Sequence, residues 1–103
     1  MPRIHKSTLL EKAEETVHCG GVKRHLFLPS RTEIWSIVGK EGEYLVSKDP
    51  PLCTCPAFYF SSARGKAQKC YHLISLEMAI ATGNYFTIMG HDEEIFILLG
   101  LLL

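Results

Sequence analysis

Two closely spaced pairs of metal-binding residues constrain this chain more than any other feature. Cys53-Thr-Cys55 forms a C-x-C pair, and Cys70-Tyr-His72 forms a C-x-H pair after fourteen intervening residues. Three thiolates and one imidazole are the usual ligands of a closed, tetrahedral structural zinc site. Because four protein ligands leave no position for water, such a site favours a structural over a hydrolytic role. The sequence therefore predicts one zinc ion bound by these four residues, with metal binding coupled to folding.

The spacing of the two pairs also predicts the local fold around the metal. Side chains at i and i+2 of an extended segment point to the same side, so both sulfurs of the C-x-C pair can reach one ion. In the C-x-H pair, the cysteine comes from a loop and the imidazole from the first turn of a helix. The helix is thereby attached to the preceding hairpin as a ββα unit. The alternatives without metal are four unrelated buried residues, a disulfide, or a C-x-C redox dithiol.

The ligand pairs and their surroundings resemble the SWIM zinc finger, and the resemblance covers about residues 33–82. In that family a strand pair precedes C-x-C, an insert of variable length follows, and C-x-H leads into a helix. Recombination members of the family often show C-x-H-x-x-A, and Ser75 stands at the last of these positions here. The resemblance implies a non-enzymatic interaction module for protein or nucleic-acid partners, and work in DNA recombination or repair beside recombinase paralogues.

Capping and turn signals predict an α+β fold: a small antiparallel sheet with a zinc-stapled ββα finger and flanking helices. A T-x-x-E capping box at Thr8 starts the first helix, and Gly20-Gly21 ends it. Alternating apolar residues and turn residues indicate the strands. The predicted elements are helices over Leu9–His18 and Leu73–Ala81 and strands over Val22–Leu28, Thr32–Val38 and Glu43–Ser47.

Length and composition predict a single domain over residues 1–103, with a finger core at about 33–82 and an apolar C-terminal extension at 83–103. A hydrophobic content of 47% is enough for a core that zinc supplements. No apolar run follows the basic N-terminus, as a signal peptide would require. With the unpaired Cys19 and a metal-type cysteine pattern, we expect a reducing intracellular location, cytoplasmic or nucleoid/nuclear, and no membrane association.

The insert between the ligand pairs is locally positive, whereas the formal net charge of the chain is zero. Residues 50–76 hold Arg64, Lys66 and Lys69 and no acidic residue. These cations either offset the charge of about −1 on a zinc ion with three thiolates, or contact nucleic-acid phosphates in a weak, salt-sensitive way. The preceding Phe58-Tyr59-Phe60 either stacks on single-stranded bases or, as we favour for two of the three rings, fills the core beneath the finger.

The C-terminal segment Ile95–Leu103 holds eight bulky apolar residues in nine positions. Monomers rarely expose so large an apolar patch. The segment is therefore expected to complete the core as a final strand or helix, which we favour, or to dock on another subunit, as in a homo-oligomer. Two other functions remain open: a structural subunit that assembles through this tail, and an enzyme that uses Cys19 or the C-x-C dithiol in redox or transfer chemistry.

Overall fold

The computed structural model describes residues 9–39, 42–55 and 70–102. Within these ranges, three α-helices accompany a five-stranded sheet, so the predicted α+β class is confirmed. The elements in chain order are α1 (Leu9–His18), β1 (Val22–Leu28), β2 (Thr32–Gly39), β3 (Gly42–Ser47), β4 (Leu52–Cys53), α2 (Tyr71–Thr82), β5 (Phe86–His91), a 3-10 turn (Asp92–Glu94) and α3 (Ile95–Leu102).

The sheet has the strand order β4-β3-β2-β1-β5 and is larger than the sequence predicts. Strands β1 to β4 pair in antiparallel fashion, as expected. Strand β5 pairs in parallel with β1, from Lys23 opposite Phe86 to Leu28 opposite His91. A parallel pair needs a long crossover connection, which the chain between Leu28 and Phe86 supplies. The three predicted strands thus form the antiparallel part of a sheet that β5 makes mixed.

The core lies between α2 and one face of the sheet. Val22 and Ile37 are opposite each other on β1 and β2, and both are fully buried. Leu73 and Leu76 of α2 are buried in the same cluster. Fully burying a side chain of this size stabilises a fold by about 1.5–3 kcal/mol. The C-terminal half of the finger is thus held by apolar packing as well as by its metal-binding residues.

Helix α1 packs alongside α2, and the contact requires small side chains. Ala13 of α1 and Ser75 of α2 are both fully buried. The Ser75 hydroxyl donates a hydrogen bond to the carbonyl of Tyr71 at 2.8 Å and lies 3.5 Å from the carbonyl of Ala13. Serine therefore fits the position where the SWIM pattern often has alanine, because its extra oxygen is satisfied within the helix.

Helix α2 begins two residues earlier than predicted and ends at Thr82, one residue later than predicted. Gly83 follows it in the left-handed conformation, with φ 73°. The backbone N–H groups of Gly83 and Asn84 both donate to the carbonyl of Ala79. Gly83 therefore ends the helix, because these bonds satisfy a carbonyl that the helix itself leaves unpaired.

A polar network lies on the sheet face opposite α2, since Ser36 and Ile37 point to opposite sides of β2. The buried Ser36 hydroxyl donates to Glu43 at 2.7 Å, which leaves its oxygen to accept from Nε2 of His25 at 2.9 Å. Lys23 forms a salt bridge with Glu43 at 3.6 Å. Burial lowers the pKa of His25, the Glu43 carboxylate partly opposes this, and Lys23 lowers the pKa further.

The apolar C-terminal segment forms a short helix, α3, after β5. Asp92 fixes the intervening turn beside the end of β1, because it accepts hydrogen bonds from the backbone N–H and hydroxyl of Ser30. Along α3, Ile95, Leu98, Leu99 and Leu102 are half-buried, and the helix contacts β3. Among the helices of the described ranges, α3 included, none has the length and apolar character needed to cross a membrane.

Candidate metal centre

The four predicted metal ligands come together in one buried cluster. The donor atoms of Cys53, Cys55, Cys70 and His72 all lie within 4.8 Å of one another. Zn–S and Zn–N bonds of about 2.3 Å and 2.0–2.1 Å at a tetrahedral angle would separate a sulfur from a nitrogen by about 3.5–3.6 Å. The observed distance from Sγ of Cys53 to Nδ1 of His72 is 3.8 Å. The cluster therefore fits a tetrahedral ion, and its donor chemistry fits zinc.

The C-x-C pair is held by the edge of the sheet. Cys53 ends β4 opposite Val46 of β3. The next residue, Thr54, donates its N–H to the carbonyl of Leu45 and accepts the N–H of Leu45 on its hydroxyl, both at 3.1 Å. These two hydrogen bonds to β3 fix the position of Thr54. Cys53 and Cys55, on either side of it, therefore point into the cluster. The N–H of Cys55 also points to the Cys53 sulfur, at 3.5 Å.

The C-x-H pair is held by the start of α2. Cys70 is the N-cap residue, with the extended backbone angles φ −81° and ψ 167°. Its carbonyl accepts the N–H of Leu73 at 3.1 Å and that of Ile74 at 3.4 Å, which begins the helix. His72 lies in the first turn and is buried. As predicted, the loop provides one ligand and the helix the other, which attaches α2 to the β3–β4 hairpin.

Within the cluster, the Cys70 thiol loses its proton more readily than the Cys53 thiol. The pKa of Cys70 is lowered, chiefly by a hydrogen bond from the Cys53 thiol and also by His72 and the N–H of Leu73, against the opposing effect of burial. The pKa of Cys53 is raised, because its proton is held in that same bond and burial disfavours its thiolate. A divalent cation at the centre would replace the shared proton and stabilise all three thiolates.

The His72 ring has a defined orientation within the cluster. Nδ1 faces the Cys53 sulfur, whereas Nε2 is buried and has no hydrogen-bond partner among the described residues. A Cβ atom placed on Gly39 would lie 2.7 Å from Nε2 and 3.0 Å from the Tyr71 hydroxyl. Gly39 therefore leaves the space that this ring occupies. The sequence indicates Gly39 only as a turn residue, because its contact with His72 is long-range.

Helix α1 brings a cation to the vicinity of the cluster. The Nζ atom of Lys12 lies 5.8 Å from the centre of the Tyr71 ring, next to His72 in sequence. A cavity of about 580 Å³ is lined by Lys12, by Tyr71 and by three residues of the cluster, Cys55, Cys70 and His72. Lys12 can therefore contribute to the charge balance that is one of the two roles predicted for the cations of the insert. No sequence signal identifies it, because the packing of α1 on α2 joins residues about sixty positions apart.

The predicted nucleic-acid-binding residues Arg64, Lys66 and Lys69 lie outside the described residues, as does Phe58-Tyr59-Phe60. The two interpretations of this insert therefore remain predictions. Comparison of the chain with models of known protein families, with curated protein sequences and with solved structures gives no match. No family model or solved structure therefore supports the predicted resemblance to SWIM fingers, which rests on the spacing of the four metal-binding residues.

Proposed function

We propose that this chain is a non-enzymatic zinc-binding interaction module of the SWIM type. The observation that supports this function is the buried cluster of three cysteines and one histidine. The most exposed of the four ligands, Cys70, has only 8% of its surface accessible. A site of this kind stabilises a fold and leaves no coordination position for a substrate. Stable thiolates of this kind also suit the reducing intracellular compartment proposed for the chain.

The partners that we propose are proteins, nucleic acids or both, in DNA recombination or repair. The support for this step is the resemblance of the ligand pattern to SWIM fingers, several of which work in that process. We assign most of the affinity to a protein partner. Three cations in an insert without acidic residues supply only a weak contact with phosphates. Removing either Arg64 or Lys66 would then leave protein binding unchanged.

Cysteine alkylation tests the structural role of the metal site. In the zinc-loaded protein, iodoacetamide should modify the exposed Cys19 quickly and should leave Cys53, Cys55 and Cys70 unmodified. After chelation all four cysteines should react, because the thiolates lose their metal. The modified positions are read by peptide mass spectrometry. Rapid alkylation of a cluster cysteine while zinc remains bound would overturn the structural role and favour the redox or transfer enzyme.

A salt titration tests the nucleic-acid contact separately. Binding of a short fluorescein-labelled DNA single strand is measured by anisotropy at several salt concentrations. Lys66→Gln should reduce the salt slope by about 1 if Lys66 contacts a phosphate. Lys48→Gln is the matched control, because Lys48 is an exposed lysine outside the insert. Equal slopes for wild type and Lys66→Gln would remove Lys66 from the contact and leave the protein partner as the source of affinity.

A further inference from the structure

A cavity of about 580 Å³ lies beside the metal centre. Helix α1 contributes Thr16 to its lining, the β2–β3 hairpin contributes Val38 and Tyr44, and the metal cluster contributes Cys55 and Cys70. A cavity of about 150 Å³ already accepts one benzene ring. The cavity beside the metal centre is therefore large enough for two or three aromatic side chains.

Aromatic rings form one wall of this cavity. The centres of the Tyr44 and Tyr71 rings lie 5.0 Å and 4.1 Å from the centre of the His72 ring, and all three residues line the cavity. Aromatic rings attract further rings in edge-to-face or offset arrangements. A zinc ion with three thiolates carries about −1, and Glu15 adds a carboxylate to the lining, of which Lys12 balances only one charge. An uncharged ring therefore suits this wall better than a nucleic-acid phosphate.

The insert, residues 56–69, is attached to the cavity at both of its ends. It follows Cys55 and precedes Cys70, and both of these cysteines line the cavity. A chain spans at most about 3.6 Å per residue. Phe58 is three residues after Cys55, so its Cα lies within about 11 Å of the Cys55 Cα in any backbone conformation. The start of the insert therefore cannot move far from the cavity.

The residues nearest to the first attachment point are aromatic. Phe58-Tyr59-Phe60 lies at the start of the insert, whereas its cations Arg64, Lys66 and Lys69 lie in the second half. In an extended segment, side chains at positions 58 and 60 point to one side and that at position 59 to the other. Tyrosine is the one of these three residues whose polar end suits contact with water.

We propose that Phe58 and Phe60 occupy the cavity beside the metal centre, with Tyr59 directed to solvent. A tethered segment has an effective concentration in the millimolar range at its site, so a base or a partner side chain would have to displace it. This inference goes beyond the proposed function, because it assigns the two phenyl rings to the fold and leaves the cations of the insert to a partner. It rests on the proposed zinc site only in that zinc holds Cys55 and Cys70 at the cavity.

Nuclear Overhauser contacts in the zinc-loaded full chain test the proposal directly. The ring protons of Phe58 and Phe60 should show contacts with the Thr16 methyl group and with the Tyr44 ring, since both residues line the cavity. Absence of these contacts from both phenyl rings would overturn the proposal. Zinc content measured on the same sample separates this outcome from failure of the metal site.

Urea denaturation of matched variants provides the second measurement. Phe58→Ala and Phe60→Ala should each raise the equilibrium constant for unfolding at least about tenfold, because each removes a buried ring. Tyr59→Ala is the matched control, because it removes a ring of similar size from the same segment, and it should have a much smaller effect. Equal effects of the three substitutions would overturn the proposal.

Binding of a fluorescein-labelled DNA single strand distinguishes the cavity from base stacking. With zinc bound and without urea, Phe58→Ala should bind the strand as the wild type does. Stacking of a base on Phe58 would instead make the substitution lower the affinity by about 5- to 150-fold. A loss of that size, with an unchanged unfolding equilibrium, would place the ring on nucleic acid and overturn the proposal.

Discussion

Gly39→Ala is the substitution that most sharply tests how the sheet shapes the metal centre. Gly39 does not have a positive φ, so alanine can adopt its backbone conformation. The added Cβ would lie 2.7 Å from Nε2 of His72, whereas ordinary contact begins at 3.4 Å. The difference between these two distances, 3.4 Å minus 2.7 Å, is 0.7 Å. Metal–ligand distances tolerate shifts of only about 0.2 Å, so the ring must turn or the strand must move.

We expect this displacement to weaken both metal binding and folding. Loss of a supporting contact to a metal ligand typically lowers affinity by about 10- to 100-fold. Overpacking the contact with the buried His72 ring typically costs about 1–3 kcal/mol of unfolding free energy. Zinc affinity is measured by competition with a chromophoric chelator, and stability is measured by urea denaturation of the zinc-loaded protein. Both should fall together, because both depend on the position of the His72 ring.

Gly100→Ala is the control for this experiment. No heavy atom lies within 4 Å of a Cβ placed on Gly100, and the residue lies in α3, outside the metal cluster. This variant should bind zinc as the wild type does. Wild-type zinc affinity in Gly39→Ala would refute the reasoning, because it would show that His72 is not held against Gly39 when the metal is bound.

Three further predictions address the metal ligands, the core and the polar network. Cys70→Ser should weaken zinc binding by about 2.5–4 kcal/mol, a quarter of the roughly 10–16 kcal/mol that a structural site typically provides, and should abolish the amide protection of α2; native-like protection there would contradict it. Leu76→Ala should lower the unfolding free energy by about 2–5 kcal/mol in urea denaturation, because Leu76 is fully buried, whereas Leu10→Ala at a 55% exposed position should cost far less. His25 has a lowered pKa in the folded chain, so the folded state favours its neutral form. Its stabilising effect is therefore fully present above the ordinary pKa of 6.5 and is lost as the pH falls through the lower folded value. Relative to His25→Gln, the wild type should lose unfolding free energy in that acidic range; parallel pH profiles would exclude this effect, and the comparison cancels the pH dependence of zinc binding.

Local signals predict most of the fold before the insert. Helix α1 and strand β1 have the predicted bounds, because a capping box, the Gly20-Gly21 pair and Pro29-Ser30 mark their ends. Glycine also marks the end of α2 at Gly83. The cluster of Cys53, Cys55, Cys70 and His72 was predictable for the same reason, since the spacing within each pair is local and the chemistry of these residues is specific.

The features that the sequence does not predict depend on distant contacts. The sequence of β5 shows no clear alternation of apolar and polar residues, and nearly all of its side chains are exposed. Its parallel pairing places Phe86 opposite Lys23, which is distant in sequence. Gly39 and Lys12 reach the metal centre only through the folding of the hairpin and α1 onto α2. The sequence gives no sign that Ser36 differs from other polar strand residues, yet it is fully buried and bonded to His25 and Glu43.

The most direct test of the metal centre is native mass spectrometry of the intact protein before and after chelation, with circular dichroism on the same samples. We predict one zinc ion per chain, and loss of helical signal when the chelator removes it, because α2 is attached to the sheet through Cys70 and His72. A folded protein without metal, with its cysteines free or two of them bridged, would contradict a zinc-stapled finger.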